Sequence, residues 1–138
     1  MSQTHILVVD NNPLVTNVIG GYLAQLGYAV TAKKDLGDAL GWLQMPGNRP
    51  DLVISDARLS RNNDHELLRL VRADPGDIYP PIILLAEEDD MAEKIIGFTA
   101  GADDYLIKPV STLELSLRIK AMLARTQAWR PPLVPAPG

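Results

Sequence analysis

The amino-acid sequence predicts an α/β fold in which helices cover both faces of a parallel sheet. Five short apolar runs alternate with five segments of helical periodicity, an alternation typical of a doubly wound three-layer α/β/α arrangement. The runs are apolar almost without a break, as expected of strands that are buried on both faces. The chain has 138 residues, of which 46% are hydrophobic, so it can form one domain with its own core.

The predicted strands are short and rich in valine, isoleucine and leucine. In chain order they are residues 5–9, 28–31, 52–55, 81–85 and 105–107. Because right-handed crossovers must join parallel strands, few arrangements of such a sheet are possible.

Helical spacing of apolar residues predicts a helix after each strand. In chain order these helices are residues 13–26, 35–45, 64–73, 90–99 and 112–126. Asn12 followed by Pro13 is a typical helix start, and Gly27 is a typical stop for the same helix. Ser111 and Glu114 have the spacing of a capping box at the start of the last helix.

The composition changes near the end of the chain. Residues 1–127 are expected to form one domain, and residues 128–138 a proline-rich linker or tail. The segment PPLVPAPG, residues 131–138, carries no charge, which favours an extended conformation. Such a tail is compatible with an output domain beyond the C-terminus.

Composition excludes several classes of function. There are no cysteines, so disulfides and thiolate metal sites are impossible. The net charge of −4 argues against direct binding of nucleic acid. No apolar run reaches the ~18 residues of a membrane span, and the start lacks the pattern of a signal peptide. We therefore expect a cytoplasmic protein without a membrane partner.

Charged side chains follow three of the predicted strands. Asp10 follows the first strand, Asp56 the third and Lys108 the fifth. Ligands of open α/β sheets bind at the carboxyl ends of the strands, so these groups are expected to meet at one edge. Two carboxylates there could hold Mg²⁺, and a carboxylate beside a lysine could attack phosphorus as a nucleophile. For either aspartate alone, capping of the next helix is the simpler interpretation.

Four segments carry a resemblance to a known family. They are ILVVDNNP, PDLVISDARLS, PPIILLAEEDD and AGADDYLIKP. Over residues 4–126 the chain resembles a response regulator receiver domain of two-component signalling. The resemblance implies a flavodoxin-like sheet of strand order 2-1-3-4-5. It also implies phosphorylation by a sensor histidine kinase or a phosphotransfer protein.

The resemblance assigns roles to individual residues. Asp56 would be the phosphoacceptor, and Lys108, with a cis peptide bond before Pro109, would contact the phosphoryl group. Asp10, Asp56 and the backbone carbonyl of Arg58 would bind Mg²⁺, with Asn11 acting through a water molecule. Tyr105 would be the aromatic switch residue. Such a protein catalyses at most its own phosphorylation and dephosphorylation and is not a dedicated enzyme.

The sequence departs from the family pattern near the expected site. Asn11 stands where the family usually has a second acidic residue, so Mg²⁺ affinity is expected to fall without vanishing. Ala86 stands where Ser or Thr is usual, so no hydroxyl is available to bind a phosphoryl oxygen. Glu87 and Glu88 could return negative charge near the pocket, although two solvated loop carboxylates are the simpler interpretation. Asp64 replaces a glycine, and aspartate tolerates positive φ better than most residues.

The resemblance also implies a weak homodimer through the fourth helix, fifth strand and fifth helix. Its expected charge pairs are Lys94 with Glu114, Asp104 with Arg118, and Asp103 with Arg125. Ile95 and Phe98 fit the apolar patch of such an interface, whereas Ser116 fits it less well.

Two other functions compete with the phosphoacceptor. A degenerate receiver would be a docking or dimerisation module independent of phosphorylation, and Asn11 and Ala86 favour it. An enzyme on a similar sheet is a third class. However, the Asp-x-Asp motif of a phosphatase is absent after strand one, and so is the Ser/Thr-rich loop of a flavin site.

Overall fold

The computed structural model describes residues 3–59, 65–73 and 80–128; for residues 127 and 128 it describes the backbone alone. Within these ranges, no helix has the length and apolar character needed to cross a membrane. The expectations for residues 60–64, which include Asp64, and for the tail after residue 128 lie outside the described part of the chain.

Five parallel strands form one sheet in the order β2-β1-β3-β4-β5. The strands are β1 (His5–Val9), β2 (Ala29–Lys33), β3 (Leu52–Asp56), β4 (Ile82–Ala86) and β5 (Asp104–Ile107). The predicted doubly wound sheet and its order are therefore confirmed.

A helix follows each strand. The helices are α1 (Pro13–Gln25), α2 (Leu36–Gln44), α3 (Glu66–Ala73), α4 (Met91–Ala100) and α5 (Thr112–Ala128). As predicted, the Asn12 side chain caps α1 by accepting from Leu14 N, and Gly27 follows that helix with a φ of 98°. Ser111 Oγ accepts from Glu114 N, which supplies the expected cap of α5.

The core has two layers because successive strand residues point to opposite faces of the sheet. On one face, Ile6 and Val8 pack with residues of α1 and α5. On the other, Leu7 and Val9 pack with residues of α2 and α3. All four of these β1 side chains are fully buried, which explains why the strands are apolar without alternation.

Helix α4 buries few of its residues. Of its ten residues, all of them described, Gly97 alone is buried. A Cβ at Gly97 would lie 2.8 Å from Leu84 Cδ1, so the missing side chain lets α4 approach the sheet. Met91, Ile95 and Phe98 are 67%, 59% and 47% exposed.

One residue near the functional edge has an uncommon backbone conformation. His65, which follows Asp64 in the sequence, has a φ of 50°. Among the described residues other than glycine, His65 alone has a positive φ and therefore a left-handed backbone conformation.

Candidate functional site

Three charged side chains converge at the carboxyl edge of the sheet, as the order of β1, β3 and β5 requires. The Lys108 ammonium lies 2.8 Å from Asp10 Oδ2 and 3.8 Å from Asp56 Oδ1. All three side chains are largely buried, with exposed fractions of 11% for Lys108, 0% for Asp10 and 12% for Asp56. The structure thus brings together the residues whose positions after the strands predicted a site.

Asp10 is held by contacts on both carboxylate oxygens. Its Oδ1 accepts a hydrogen bond from Asn12 N at 2.9 Å, which ties the carboxylate to the start of α1. Its Oδ2 has no hydrogen bond of good geometry among the described residues, although the Lys108 ammonium is near enough for an ion pair. This buried oxygen therefore remains an acceptor for a cation or a water molecule.

Asp56 ends β3 and faces the same edge. Its Oδ1 accepts from Arg58 N at 3.2 Å. Burial raises the pKa of the Asp56 carboxyl. The Arg58 N–H and the Lys108 charge act in the opposite direction, whereas Asp10 adds to the rise. The ionised form of Asp56 is therefore only partly stabilised by the surrounding protein groups.

Lys108 is the positive group of the site. Burial alone would lower its pKa, but the close contact with Asp10 and the charges of Asp56 and Asp10 outweigh burial and raise the pKa. The Lys108 backbone N–H donates to Ala86 O at 2.7 Å, which holds the lysine beside the end of β4. The peptide bond between Lys108 and Pro109 is cis, as expected.

Glu87 adds a third carboxylate beside Lys108. A solvated loop carboxylate is the simpler prediction from the sequence, and the side chain is indeed 73% exposed. However, its Oε1 lies 3.4 Å from Lys108 Nζ. Its position directly after β4, at the edge reached by Asp10 and Asp56, is a feature of the sequence that would have predicted this contact. Glu88 is exposed.

The donor set fits a hard divalent cation. Mg²⁺ in proteins typically takes one or two carboxylates and keeps several waters. Asp10 and Asp56 both reach the same ammonium, and Asp10 has a buried oxygen without a well-shaped hydrogen bond. Asn11 is exposed beside them. Among the described residues, no three side chains of His, Cys, Asp or Glu are arranged so that they could hold a metal ion by themselves.

The loop after Asp56 is joined to α4 by an ion pair that the sequence did not predict. The Arg58 guanidinium contacts the Glu93 carboxylate, which is 17% exposed. The nearby Tyr105 ring is 8% exposed, and its buried hydroxyl has no hydrogen-bond partner among the described residues. Burial, followed by the charges of Glu93 and Asp90, raises the Tyr105 pKa.

The predicted interface residues lie on α4, β5 and α5, apart from Asp103, which directly precedes β5. Most of their charges have partners in the same chain. Arg118 contacts Asp104 at 2.8 Å and Glu114 at 3.1 Å. Lys94 contacts Asp89 at 2.5 Å. Arg125 is exposed, and Ser116 is buried and therefore outside the apolar patch.

Asp103 has a structural role within the chain. Its carboxylate accepts from the Arg72 guanidinium at 2.7 Å and from Ile82 N at 2.8 Å. Arg72 also donates to the Gly101 and Pro80 carbonyls. Asp103 thus connects the end of α3 with the starts of β4 and β5.

A five-stranded sheet of this order, with two aspartates and a lysine at one edge, defines a receiver domain. The sequence profile of the family described as Response regulator receiver domain matches residues 6–120. The chain therefore belongs to this family and is a receiver domain of two-component signal transduction. Receiver domains accept phosphate on an aspartate and generally bind Mg²⁺ at that position.

Curated relatives support the same assignment. The chain is 37% identical to response regulator MprA of Mycobacterium sp. (strain KMS), over 95% of this chain and 55% of that protein. It is 34% identical to the transcriptional regulatory protein TrcR of Mycobacterium tuberculosis (strain ATCC 25618 / H37Rv), over 91% of this chain and 47% of that protein. The chain spans about half the length of these relatives.

Solved structures agree with the fold. The receiver domain of Francisella response regulator 1452 is 29% identical, with a TM-score of 0.76 over 89% of this chain and 98% of that chain. The CheY-like receiver domain protein of Methanospirillum hungatei JF-1 is 24% identical, with a TM-score of 0.81 over 92% of this chain and 98% of that chain. The latter similarity concerns the fold alone.

Proposed function

We propose that Asp56 is the phosphoacceptor of this receiver domain and that the reaction depends on Mg²⁺. The observation that carries the proposal is the convergence of Asp10, Asp56 and Lys108 within one ion-pair network. Helix capping alone does not explain this network, because Lys108 belongs to no helix and its ammonium lies against both carboxylates.

Asp10, Asp56 and the Arg58 backbone carbonyl would hold the Mg²⁺, and Asn11 would bind one of its water molecules. The ion would favour the ionised form of Asp56 and neutralise charge on the transferred group. Because Asn11 is neutral, the site has one negative charge fewer than the usual family pattern. We expect weaker Mg²⁺ binding for that reason.

The reaction is a transfer of a phosphoryl group to a carboxylate. One Asp56 oxygen attacks phosphorus while the bond from phosphorus to the donor's histidine nitrogen breaks. The donor imidazole leaves with the bonding electron pair, and Asp56 becomes an aspartyl phosphate. The Lys108 ammonium offsets the negative charge that the phosphoryl oxygens bring into the site.

The donor protein must approach the edge where Asp56 lies. Helix α1 begins at this edge, and no residue of the helix is charged. Leu14 and Val18, one helical turn apart, are 72% and 59% exposed. This apolar surface beside the site fits the docking of a sensor histidine kinase or a phosphotransfer protein.

The output would be a change of protein association at the face formed by α4, β5 and α5. Ile95, Phe98 and Leu117 are 59%, 47% and 57% exposed and supply an apolar centre. Lys94, Asp104, Glu114, Arg118 and Arg125 supply charge around it. We propose a weak homodimer through this face that phosphorylation favours.

A phosphorylation-independent docking module is the second candidate. Ala86 favours it, because no hydroxyl at this position can bind a phosphoryl oxygen. A hydrogen bond to a charged group contributes about 1.5–3 kcal/mol, and the phosphorylated state lacks this contribution. Asn11 also favours it, because this neutral side chain weakens Mg²⁺ binding.

Treatment with acetyl phosphate and Mg²⁺, followed by intact-mass measurement, separates the two candidates. We expect wild type to gain the mass of one phosphoryl group and Asp56→Asn to gain none. Chelation of the metal should prevent the gain in wild type. An unchanged mass of wild type after prolonged treatment would favour the docking module. A gain that persists in Asp56→Asn would place the phosphate on another residue.

A further inference from the structure

Within the described residues that follow Asp56, Arg58 contacts α4. Arg58 donates its backbone N–H to Asp56 Oδ1 at 3.2 Å, and its guanidinium contacts the Glu93 carboxylate. Glu93 lies in the first turn of α4, where Asp90 caps the helix. The side chain of Arg58 is 61% exposed, whereas that of Glu93 is 17% exposed. One end of Arg58 thus touches the candidate phosphoacceptor and the other end touches a helix.

The side chain at the end of β4 cannot link the site to α4 through a hydroxyl group, because this position is Ala86. Ala86 ends β4 beside the site and is 3% exposed, but a methyl group cannot bind a phosphoryl oxygen. Tyr105 is buried, and its hydroxyl has no hydrogen-bond partner among the described residues. A hydrogen bond from the side chain at position 86 to a phosphoryl oxygen therefore cannot report the state of Asp56.

Helix α4 is well suited to respond to a single ion pair. Gly97 is its one buried residue, and the exposed fractions of its large apolar side chains, Met91, Ile95, Ile96 and Phe98, lie between 44% and 67%. An element with few buried apolar contacts opens or shifts at low cost. A polar contact at its first turn can then influence its orientation measurably.

We propose that Arg58 is a positioning residue whose ion pair with Glu93 transmits the charge state of Asp56 to helix α4. When Asp56 changes charge, the acceptor of the Arg58 N–H changes, and the backbone of residue 58 shifts. The guanidinium shifts with it and moves the Glu93 end of α4. This inference deepens the proposed function, since it names how the state of that site would reach the α4 face.

The test uses Asp56→Asn as the change of charge, so it requires neither metal nor phosphate. Amide chemical shifts of α4 are measured by NMR with and without Asp56→Asn in three backgrounds: wild type, Glu93→Gln and Asp89→Asn. Asp89→Asn is the matched control, because Asp89 is paired with Lys94 of α4 and has no described contact with Arg58.

We expect Asp56→Asn to shift the amides of Lys94, Ile95 and Ile96 in wild type and in Asp89→Asn. In Glu93→Gln these shifts should fall by about threefold or more, while those of Ala57 and Leu59 persist. The charge exchange Arg58→Glu with Glu93→Arg should restore the α4 response, which a merely structural role for either residue would not produce.

Two outcomes would overturn the proposal. One is an α4 response of full size in the Glu93→Gln background, which would show that another path carries it. The other is the absence of any α4 response to Asp56→Asn in wild type. Phosphorylation is measured separately by mass, so a protein that fails to take phosphate can still show, or lack, this coupling.

Discussion

Asp56 is a carboxylate at the end of an apolar strand, and its surroundings stabilise its charge only in part. Lys108 and the Arg58 N–H favour the ionised form, yet burial dominates and the pKa is raised. A carboxyl group with a raised pKa in the folded state stabilises the fold at low pH. That contribution is lost as the pH rises through the folded-state pKa. At neutral pH the ionised Asp56 therefore costs stability when no cation is bound.

The first prediction at this scale concerns thermal stability. Without Mg²⁺ at pH 7, Asp56→Asn should melt at a higher temperature than wild type, because the variant removes a poorly solvated charge. The difference should shrink towards pH 4, where more of the wild-type carboxyl is protonated. Calorimetry at several pH values checks this, and Glu88→Gln, an exposed carboxylate in the next loop, is the control.

A ligand that binds only the folded state raises the melting temperature. Added Mg²⁺ should therefore stabilise wild type more than Asp56→Asn, because the variant lacks the Asp56 carboxylate that would bind the ion. An Asp56→Asn protein that is less stable than wild type at pH 7 without metal would contradict the pKa argument.

Single residues of the site were predictable to different extents. Asp10, Asp56 and Lys108 were predictable because each directly follows a strand, and parallel strands end at one edge. The contact of Arg58 with Glu93 was not, because it joins a loop to a helix 35 positions away. No pattern in the chain specifies how these two side chains meet.

At the scale of elements, the sequence identifies the ten helices and strands that the described residues form. It does so because hydrophobic periodicity follows from burial on one or both faces. Wherever the chain is described, the observed ends lie within about two residues of the predicted ones. The strand that differs most is β2, which continues through Ala32 and Lys33. It lies at the edge of the sheet, where partial exposure makes the apolar pattern weaker.

Helix α4 gives the prediction at this scale. Alanine in place of a helical glycine typically stabilises by about 0.5–1 kcal/mol. A Cβ added at Gly21 of α1 would have no atom within 4 Å apart from its chain neighbours and the backbone of its own helix, so Gly21→Ala should show this gain. At Gly97 the Cβ would lie 2.8 Å from the fully buried Leu84, and crowding of a core costs about 1–3 kcal/mol.

Gly97→Ala should therefore be less stable than Gly21→Ala by at least about 1 kcal/mol in chemical denaturation. It should also shift the NMR signals of Tyr105, whose ring carbons would lie 3.8 and 3.9 Å from the new Cβ. Equal stabilisation by the two substitutions would show that α4 adjusts freely and that Gly97 does not determine its distance from the sheet.

At the scale of the whole molecule, charge pairs alone do not define the proposed dimer. Arg118 already contacts Asp104 and Glu114 in its own chain, and Asp103 is engaged by Arg72. A substitution at Arg118 would therefore disturb the monomer as well as any interface. The sequence could not reveal this, because the same charges can pair within one chain or between two.

The apolar part of the α4 face provides a cleaner test of self-association. Ile95 is 59% exposed and projects from a helix whose one buried residue is Gly97, so Ile95→Asp should leave the fold intact. A two-fold interface would place this residue at the contact twice, and a charge there would lose its water on association. Leu14→Asp is the matched control, since Leu14 is 72% exposed on α1.

In sedimentation at increasing protein concentration, after treatment with acetyl phosphate and Mg²⁺, wild type and Leu14→Asp should both associate. Ile95→Asp should remain monomeric, because burying an unpaired carboxylate opposes the contact. If Ile95→Asp associates as strongly as wild type, the contact lies on another surface. If Leu14→Asp alone is monomeric, the apolar end of α1 is that surface, and the exposed side chains of α4 are free for a different partner.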